Sequence, residues 1–226
     1  MDPNVWSDIL LSDGRSAVDV FGLETVDGIW PHLLVPRPGE SAETLATSLQ
    51  ALADSDVIPQ APEASGGFAE LGRALWAARL AQQAEWPAEG WPLERIASRL
   101  RAAGIAAEWA LQADSDAEAV DALEPHRLED LRGAVFLTEA QAVQLALQPG
   151  DAHVGTEGFV EPRPRGVFGE PEIDMDEYRN ACEAVSGELV AAARAEGVDA
   201  VWDGDWENRV VLENVQLVVR LPRDDS

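Results

Sequence analysis

The chain has 226 residues, of which 46% are hydrophobic and 26% charged, a composition that is typical of a globular protein and excludes a disordered one. Its 42 acidic residues outnumber 16 basic ones, all of them Arg, and the formal net charge is -26. Nucleic acids and anionic membranes both attract basic segments, so we expect no direct nucleic-acid binding and no membrane binding. The charge favours a basic partner; the alternative is that it only keeps the protein soluble.

The single cysteine, Cys182, excludes an intramolecular disulfide framework and fits a reducing compartment. The N-terminus, from Met1 to Trp6, lacks the basic region of a signal peptide. No apolar run approaches the roughly 18 residues of a membrane-spanning helix. The sequence therefore predicts a cytoplasmic protein.

The N-terminal segment is predicted to begin with a β-hairpin. Residues 16–36 are rich in apolar, β-prone side chains, and Asp27-Gly28 is typical of a hairpin turn. Pro31 indicates an edge strand or a bend.

A helix over residues 42–53 is expected to follow, with Ser41 as its N-cap. Residues 54–67 are rich in Asp, Ser, Pro and Gly and are predicted to form a loop. We therefore divide the chain into an N-terminal hairpin-plus-helix segment, 1–62, and a main domain, 66–226.

Apolar periodicity and Pro/Gly punctuation predict alternating helices and strands in the main domain. A Pro/Gly-rich loop is expected over 158–172. The fold class is therefore α+β, with a mixed or antiparallel sheet and packed helices. The predicted elements are helix 68–85, a helix from Pro92 to Gly104, strand 105–111, a short helix capped by Asp114, Ser115 and Asp116, strand 133–137, helix 139–147 capped by Thr138, strand 152–155, helix 176–196, strand 198–202 and strands 210–212 and 215–221.

Two segments of the main domain are similar to each other. Residues 101–109 and 194–202 share Arg, Ala, Gly, a second Ala and Trp, and each spans a helix end, a Gly and a strand start. We interpret them as two related helix–strand units within one sheet. The alternative is that helix–Gly–strand is a common pattern and that Ala is abundant here.

The same region carries a family resemblance. Residues 197–204 read Gly-Val-x-x-Val-Trp-Asp-Gly, and a short strand follows near Arg209. Together with the helix–Gly–Ile segment at 93–105 and Gly-Ala-Val-Phe at 133–136, this resembles an uncharacterised, mainly actinobacterial domain family over about residues 68–220. The chain lacks the Cys cluster and the His-x-Gln-Asp of that family. The resemblance implies a fold and no activity.

No motif in the sequence indicates catalysis, a metal or a cofactor. Asp203, Asp205 and Glu207 alternate like the ligands of a calcium loop. An EF-hand, however, needs Gly at the sixth position and Glu at the twelfth, where this chain has Asn208 and Asn214. A looser cation site is the alternative to a solvated acidic turn.

Cysteine catalysis is not predicted either. A nucleophilic Cys182 would need a neighbouring histidine, and none of His32, His126 and His153 lies in a supporting signature. We expect Cys182 to be a small buried thiol inside the last long helix.

Two function hypotheses follow from the sequence. In the first, the protein is a non-catalytic module that binds a basic partner, like an inhibitor or immunity protein, and its candidate interaction patch is Asp203, Asp205, Trp206 and Glu207, since Trp is enriched at binding hot spots. In the second, it is an enzyme or small-molecule binder with a site of dispersed carboxylates. Two close carboxylates in a deep pocket favour the second hypothesis.

Overall fold

The fold is taken from a computed structural model of the chain. The chain divides into two compact units, one comprising Met1–Ala88 with Val218–Ser226 and the other Glu89–Leu217. The boundary expected from composition, between residues 62 and 66, stays a prediction. The structure describes residues 9–36, 39–62, 66–113, 116–127, 131–161, 163–164 and 171–221.

Helices build the first unit: α1 (Ala17–Phe21), α2 (Leu23–Leu34), α3 (Ala42–Asp54) and α4 (Gly67–Gln83). As predicted, Ser41 caps α3, and its Oγ accepts a hydrogen bond from the Thr44 N–H at 3.3 Å. Helix α4 packs closely on α3 because Gly72 has no side chain. A Cβ at that position would lie 2.9 Å from the Ala42 carbonyl oxygen.

The β-hairpin expected over residues 16–36 is wrong, because this segment forms α1 and α2. Val26, Ile29 and Leu33 recur every three or four residues and are all buried, which is the period of a helix. Burial of this apolar face overrides the turn propensity of Asp27-Gly28, which lies inside α2.

Helix α4 contains a fully buried arginine, Arg79. The Arg79 guanidinium lies 4.6 Å from the Trp86 ring, and it donates hydrogen bonds to Gln82 Oε1 at 2.6 Å and to the Val219 carbonyl at 3.2 Å. Burial lowers the pKa of Arg79 to about 10, so the side chain is still charged at neutral pH. The charge is stabilised by an aromatic face and by oxygen acceptors.

The end of the chain completes this unit. Val218 and Leu221 are buried, and Arg220 donates a hydrogen bond to the Pro87 carbonyl at 2.9 Å. The Arg220 guanidinium also lies 5.3 Å from the Trp86 ring, so two arginines contact one indole. Residues 218–221 are therefore part of the first unit and contribute to its core.

The second unit is α+β, as predicted. Its main sheet has the order β1-β2-β3-β7-β6; β1 and β2 are parallel and the other pairs are antiparallel, so the sheet is mixed. Strands β4 and β5 form a separate two-stranded ladder. The strands are β1 (Ile105–Leu111), β2 (Gly133–Thr138), β3 (Gly150–Gly158), β4 (Arg163–Pro164), β5 (Pro171–Glu172), β6 (Ala200–Val201) and β7 (Val210–Val215). The helices are α5 (Pro92–Ala102), α6 (Asp116–Ala122), α7 (Glu124–Arg127), α8 (Glu139–Leu147) and α9 (Met175–Ala195).

The end of the sheet corrects three expectations. The strand expected over 198–202 contains only Ala200–Val201. Asn214, expected near a turn between two strands, lies inside β7 with a φ of 50°, where the register with β3 shifts. Residues 216–221 contain no strand, because this segment belongs largely to the helical first unit.

Several expected features lie outside the described residues. They include the capping pair Asp114 and Ser115, and the loop positions 162 and 165–170. The described part of the 158–172 loop contains β4 and β5.

The two similar segments both adopt the expected helix–Gly–strand geometry. Gly104 and Gly197 have φ values of 74° and 75°, which suits glycine at a helix end. They lead into β1 and β6, at opposite edges of the sheet. Glu196, at the end of α9, accepts hydrogen bonds from Arg95 and Arg99 of α5. A common origin of the two segments stays a prediction.

Helix α9 sits against the backbone of the sheet. Gly133 and Gly158 are cross-strand partners in β2 and β3. A Cβ at Gly133 would lie 2.5 Å from Val185 Cγ2, and one at Gly158 would lie 2.6 Å from the Ala181 carbonyl carbon and the Cys182 nitrogen. Successive side chains of β2 point to opposite faces of the sheet. Ala134 and Phe136 therefore lie on the face opposite to α9, where they form a hydrophobic core with α6.

The close approach of α9 predicts a large effect of one methyl group. Gly158→Ala should lower the free energy of unfolding by about 1–3 kcal/mol, because backbone atoms of α9 must shift. Gly187→Ala is the matched control: it lies inside α9 with nothing within 4 Å of its Cβ, and should stabilise by up to about 1 kcal/mol. Urea unfolding measures both, and equal effects would contradict the packing.

The buried arginine predicts a second stability difference. Arg79→Leu should lower the stability of the first unit by about 2–3 kcal/mol, because the Val219 carbonyl and Gln82 lose a charged donor. Arg73→Leu, in the same helix, removes a side chain that is 63% exposed and should cost less than about 1 kcal/mol. Denaturant unfolding followed by tryptophan fluorescence compares the two, and a mild effect at Arg79 would contradict its structural role.

Candidate functional site

The candidate patch lies on the loop that connects β6 to β7. Asp203 Oδ1 accepts the Asp205 N–H at 3.0 Å, and its Oδ2 accepts the Asn208 side-chain N–H at 2.8 Å. Asp205 Oδ1 in turn accepts the Glu207 N–H at 3.0 Å. Short acidic side chains hydrogen-bond the backbone two residues on, and Gly204 supplies a φ of 90°. The sequence therefore folds this segment into a compact turn that we call the 203–208 loop.

The four predicted patch residues come together in one groove. The groove is open, has a volume of about 490 Å³, and lies between the 203–208 loop and α9. The three acidic side chains of the patch are exposed, and Trp206 is half-buried. The groove is lined by Arg179, Glu183, Asp203, Gly204, Asp205, Trp206 and Glu207.

The groove is negatively charged. Hydrogen bonds from the Asp205 N–H and the Asn208 side chain hold the pKa of Asp203 below its usual range. Asp203 is therefore ionised at neutral pH, and four carboxylates face one guanidinium, that of Arg179. Arg179 also lies 3.6 Å from Asp176, in the first turn of α9. This arrangement attracts cations and repels anions.

Beneath the groove, Trp206 rests on Tyr178 of α9. Their ring centroids are 5.6 Å apart and the rings are nearly perpendicular, at 82°. The Tyr178 hydroxyl donates a hydrogen bond to Glu157 Oε2 at 2.8 Å, and Glu157 is only 4% exposed. Burial, followed by the hydrogen bond to Glu157, raises the pKa of Tyr178 well above its ordinary value, so the phenol stays protonated.

Sequence reasoning missed the part of the site that lies outside the loop. Arg179, Glu183, Tyr178 and Glu157 come from α9 and β3, and no local motif connects them to the 203–208 loop. The one available indication is helical spacing, which places Arg179 and Glu183 on one side of α9.

Cys182 is a buried thiol, as predicted. It is 1% exposed and accepts the Gly158 N–H at 3.3 Å. Burial raises the pKa of the Cys182 thiol, which disfavours the nucleophilic thiolate. His126 lies elsewhere, with its Nε2 3.0 Å from Glu108 Oε1, and the side chain of His32 lies outside the described residues.

The loop carboxylates do not converge on one point. Among the residues that the structure describes, no three His, Cys, Asp or Glu side chains are placed to hold a metal ion. None of the described helices is long and apolar enough to cross a bilayer.

Comparison with known proteins gives a family and no function. No curated protein and no solved structure matches the chain significantly. A family model described as a domain of unknown function, DUF6891, matches residues 39–221 of the 226 and thereby confirms the resemblance to an uncharacterised family. The chain belongs to the DUF6891 family of domains of unknown function.

Proposed function

We propose that this protein is a non-catalytic binding module, and that the groove between the 203–208 loop and α9 engages a basic partner protein. The observation that supports this function is the meeting of Asp203, Asp205, Glu207 and Glu183 around a half-buried tryptophan, Trp206. Carboxylates provide charge complementarity, and tryptophan is the residue type most enriched at binding hot spots.

The net charge of the chain supports the same partner class. A formal charge of -26 attracts a basic protein over long range and accelerates its association at low salt. An inhibitor or immunity protein that covers a basic, nucleic-acid-binding surface works in this way. The groove then supplies the short-range contacts that a diffuse negative field does not provide.

The loop is also preorganised for binding. The hydrogen bonds of Asp203 and Asp205 to backbone N–H groups, and that of the Trp202 indole N–H to the Asp205 carbonyl at 3.0 Å, fix its shape before a partner arrives. A surface ordered in advance loses less conformational entropy on binding. Among the described residues the Glu207 carboxylate makes no hydrogen bond or ion pair, so it remains available to a basic side chain.

Charge removal at the groove tests this function. In the triple variant Asp203→Asn, Asp205→Asn, Glu207→Gln, the two Asn side chains keep an oxygen acceptor for the backbone N–H groups of the loop, and only the second hydrogen bond of Asp203, from the Asn208 side chain, is lost with the three charges. Binding of a fluorescent hexa-arginine peptide, followed by anisotropy at about 0.15 M salt, should weaken about tenfold or more.

The matched control removes three exposed charges outside the groove, in Asp56→Asn, Glu85→Gln, Glu89→Gln. Its affinity should fall less than about threefold, since the net charge changes by the same amount while the lining of the groove is unchanged. Equal weakening in both variants would mean that the peptide senses only net charge, and would contradict a groove-specific function.

The natural partner is then sought by affinity capture from lysate of the host, with low-salt and high-salt washes. A stoichiometric basic protein should be retained by the wild type and by the control variant, be lost from the groove variant, and elute with salt. Equal retention by all three proteins would contradict the groove as the contact surface.

A further inference from the structure

Trp206 supplies the aromatic surface of the groove. Its ring meets Tyr178 in a T-shaped contact, with the centroids 5.6 Å apart, and it stays half-buried while lining the groove. An indole held in this way is rigid, and a rigid aromatic ring is an effective anchor because binding does not have to order it.

Tyr178 is itself fixed from below. Its hydroxyl donates to Glu157 Oε2 at 2.8 Å, and the Glu157 side chain, at 4% exposure, lies inside the fold. A buried hydrogen bond of this kind is costly to break, because its partners would be left unsatisfied away from water. Glu157, Tyr178 and Trp206 thus form a chain of contacts from the interior to the groove, which we call the Tyr178 support.

Resting on the proposed function, we infer that Trp206 receives an arginine or lysine side chain of the basic partner, and that Tyr178 is the positioning residue that holds the indole for this contact. A cation above an indole face is the strongest of the cation–π contacts of the natural aromatic side chains. Asp205 and Glu207, the sequence neighbours of Trp206, line the same groove and stabilise the same cation.

A double-mutant cycle with the hexa-arginine peptide tests this role. Trp206→Leu should weaken binding about fivefold, and Tyr178→Phe, which keeps the ring but loses the hydroxyl, about threefold. In the Trp206→Leu background, Tyr178→Phe should have no further effect, because both changes act on one contact. Additive effects would overturn the positioning role.

Ser186→Ala is the matched control for Tyr178→Phe. Ser186 is fully buried in α9 and its hydroxyl shares a 2.9 Å hydrogen bond with Thr156, so one buried hydrogen bond is lost here too, away from Trp206. Peptide affinity should be unchanged in Ser186→Ala. A loss equal to that of Tyr178→Phe would mean that lowered stability alone weakens binding, and would overturn the inference.

A measurement on the wild-type protein covers the case in which Tyr178→Phe fails to fold. The indole N–H resonance of Trp206, assigned by its absence in Trp206→Phe, should shift when the peptide is added. An unshifted resonance would overturn the inference. If the triple groove variant weakens binding while the cycle is additive, only the positioning role of Tyr178 fails; if that variant binds normally, the proposed function fails as well.

Discussion

The close approach of α9 to β2 and β3 is the constraint on which the second unit depends. Gly133 and Gly158 face each other across the two strands, and neither has room for a methyl group beneath the helix. The backbone of α9 at Gly158 and the Val185 side chain at Gly133 set the distance between α9 and the sheet. The groove wall formed by Arg179 and Glu183 is therefore positioned by sheet residues that do not line the groove.

The 203–208 loop holds like-charged side chains close together. Three carboxylates within five residues repel one another, and in an extended segment they would spread apart. Backbone and side-chain N–H groups offset this repulsion, and the lowered pKa of Asp203 is the direct sign of it. The loop consequently concentrates negative charge without burying it, which leaves the charge available to a cation from solution.

Local chemistry explains which parts of the fold the sequence predicts. Capping by Ser41 and Thr138, and the helix ends at Gly104 and Gly197, depend on neighbouring residues and are confirmed. The predicted N-terminal hairpin is wrong. The β-prone residues and the Asp-Gly pair favour strands and a turn, but the apolar residues recur at the period of a helix, and burial of that apolar face determines the structure. The strand expected at 215–221 ends at Val215, and residues 218–221 belong to the other unit, which is a long-range property of the chain.

The same distinction holds for the site. The alternation of acids at residues 203–207 is local, so the loop half of the groove is predictable from sequence. The Tyr178 support joins residues that are 21 positions apart in one hydrogen bond and 28 apart in one ring contact, and no periodicity connects them. Tyr178 lies under the loop because α9 packs against Gly133 and Gly158.

The carboxyl group of Glu157 is buried beneath Tyr178, and this burial has a free-energy cost. Burying a carboxyl group costs free energy, and an apolar residue of similar size would pack beneath Tyr178 without that cost. Such a residue would leave the phenol without its acceptor and the ring free to shift. Glu157, Tyr178 and Trp206 therefore form one line of contacts, and the position of the Trp206 ring depends on a group that is buried at the other end of that line.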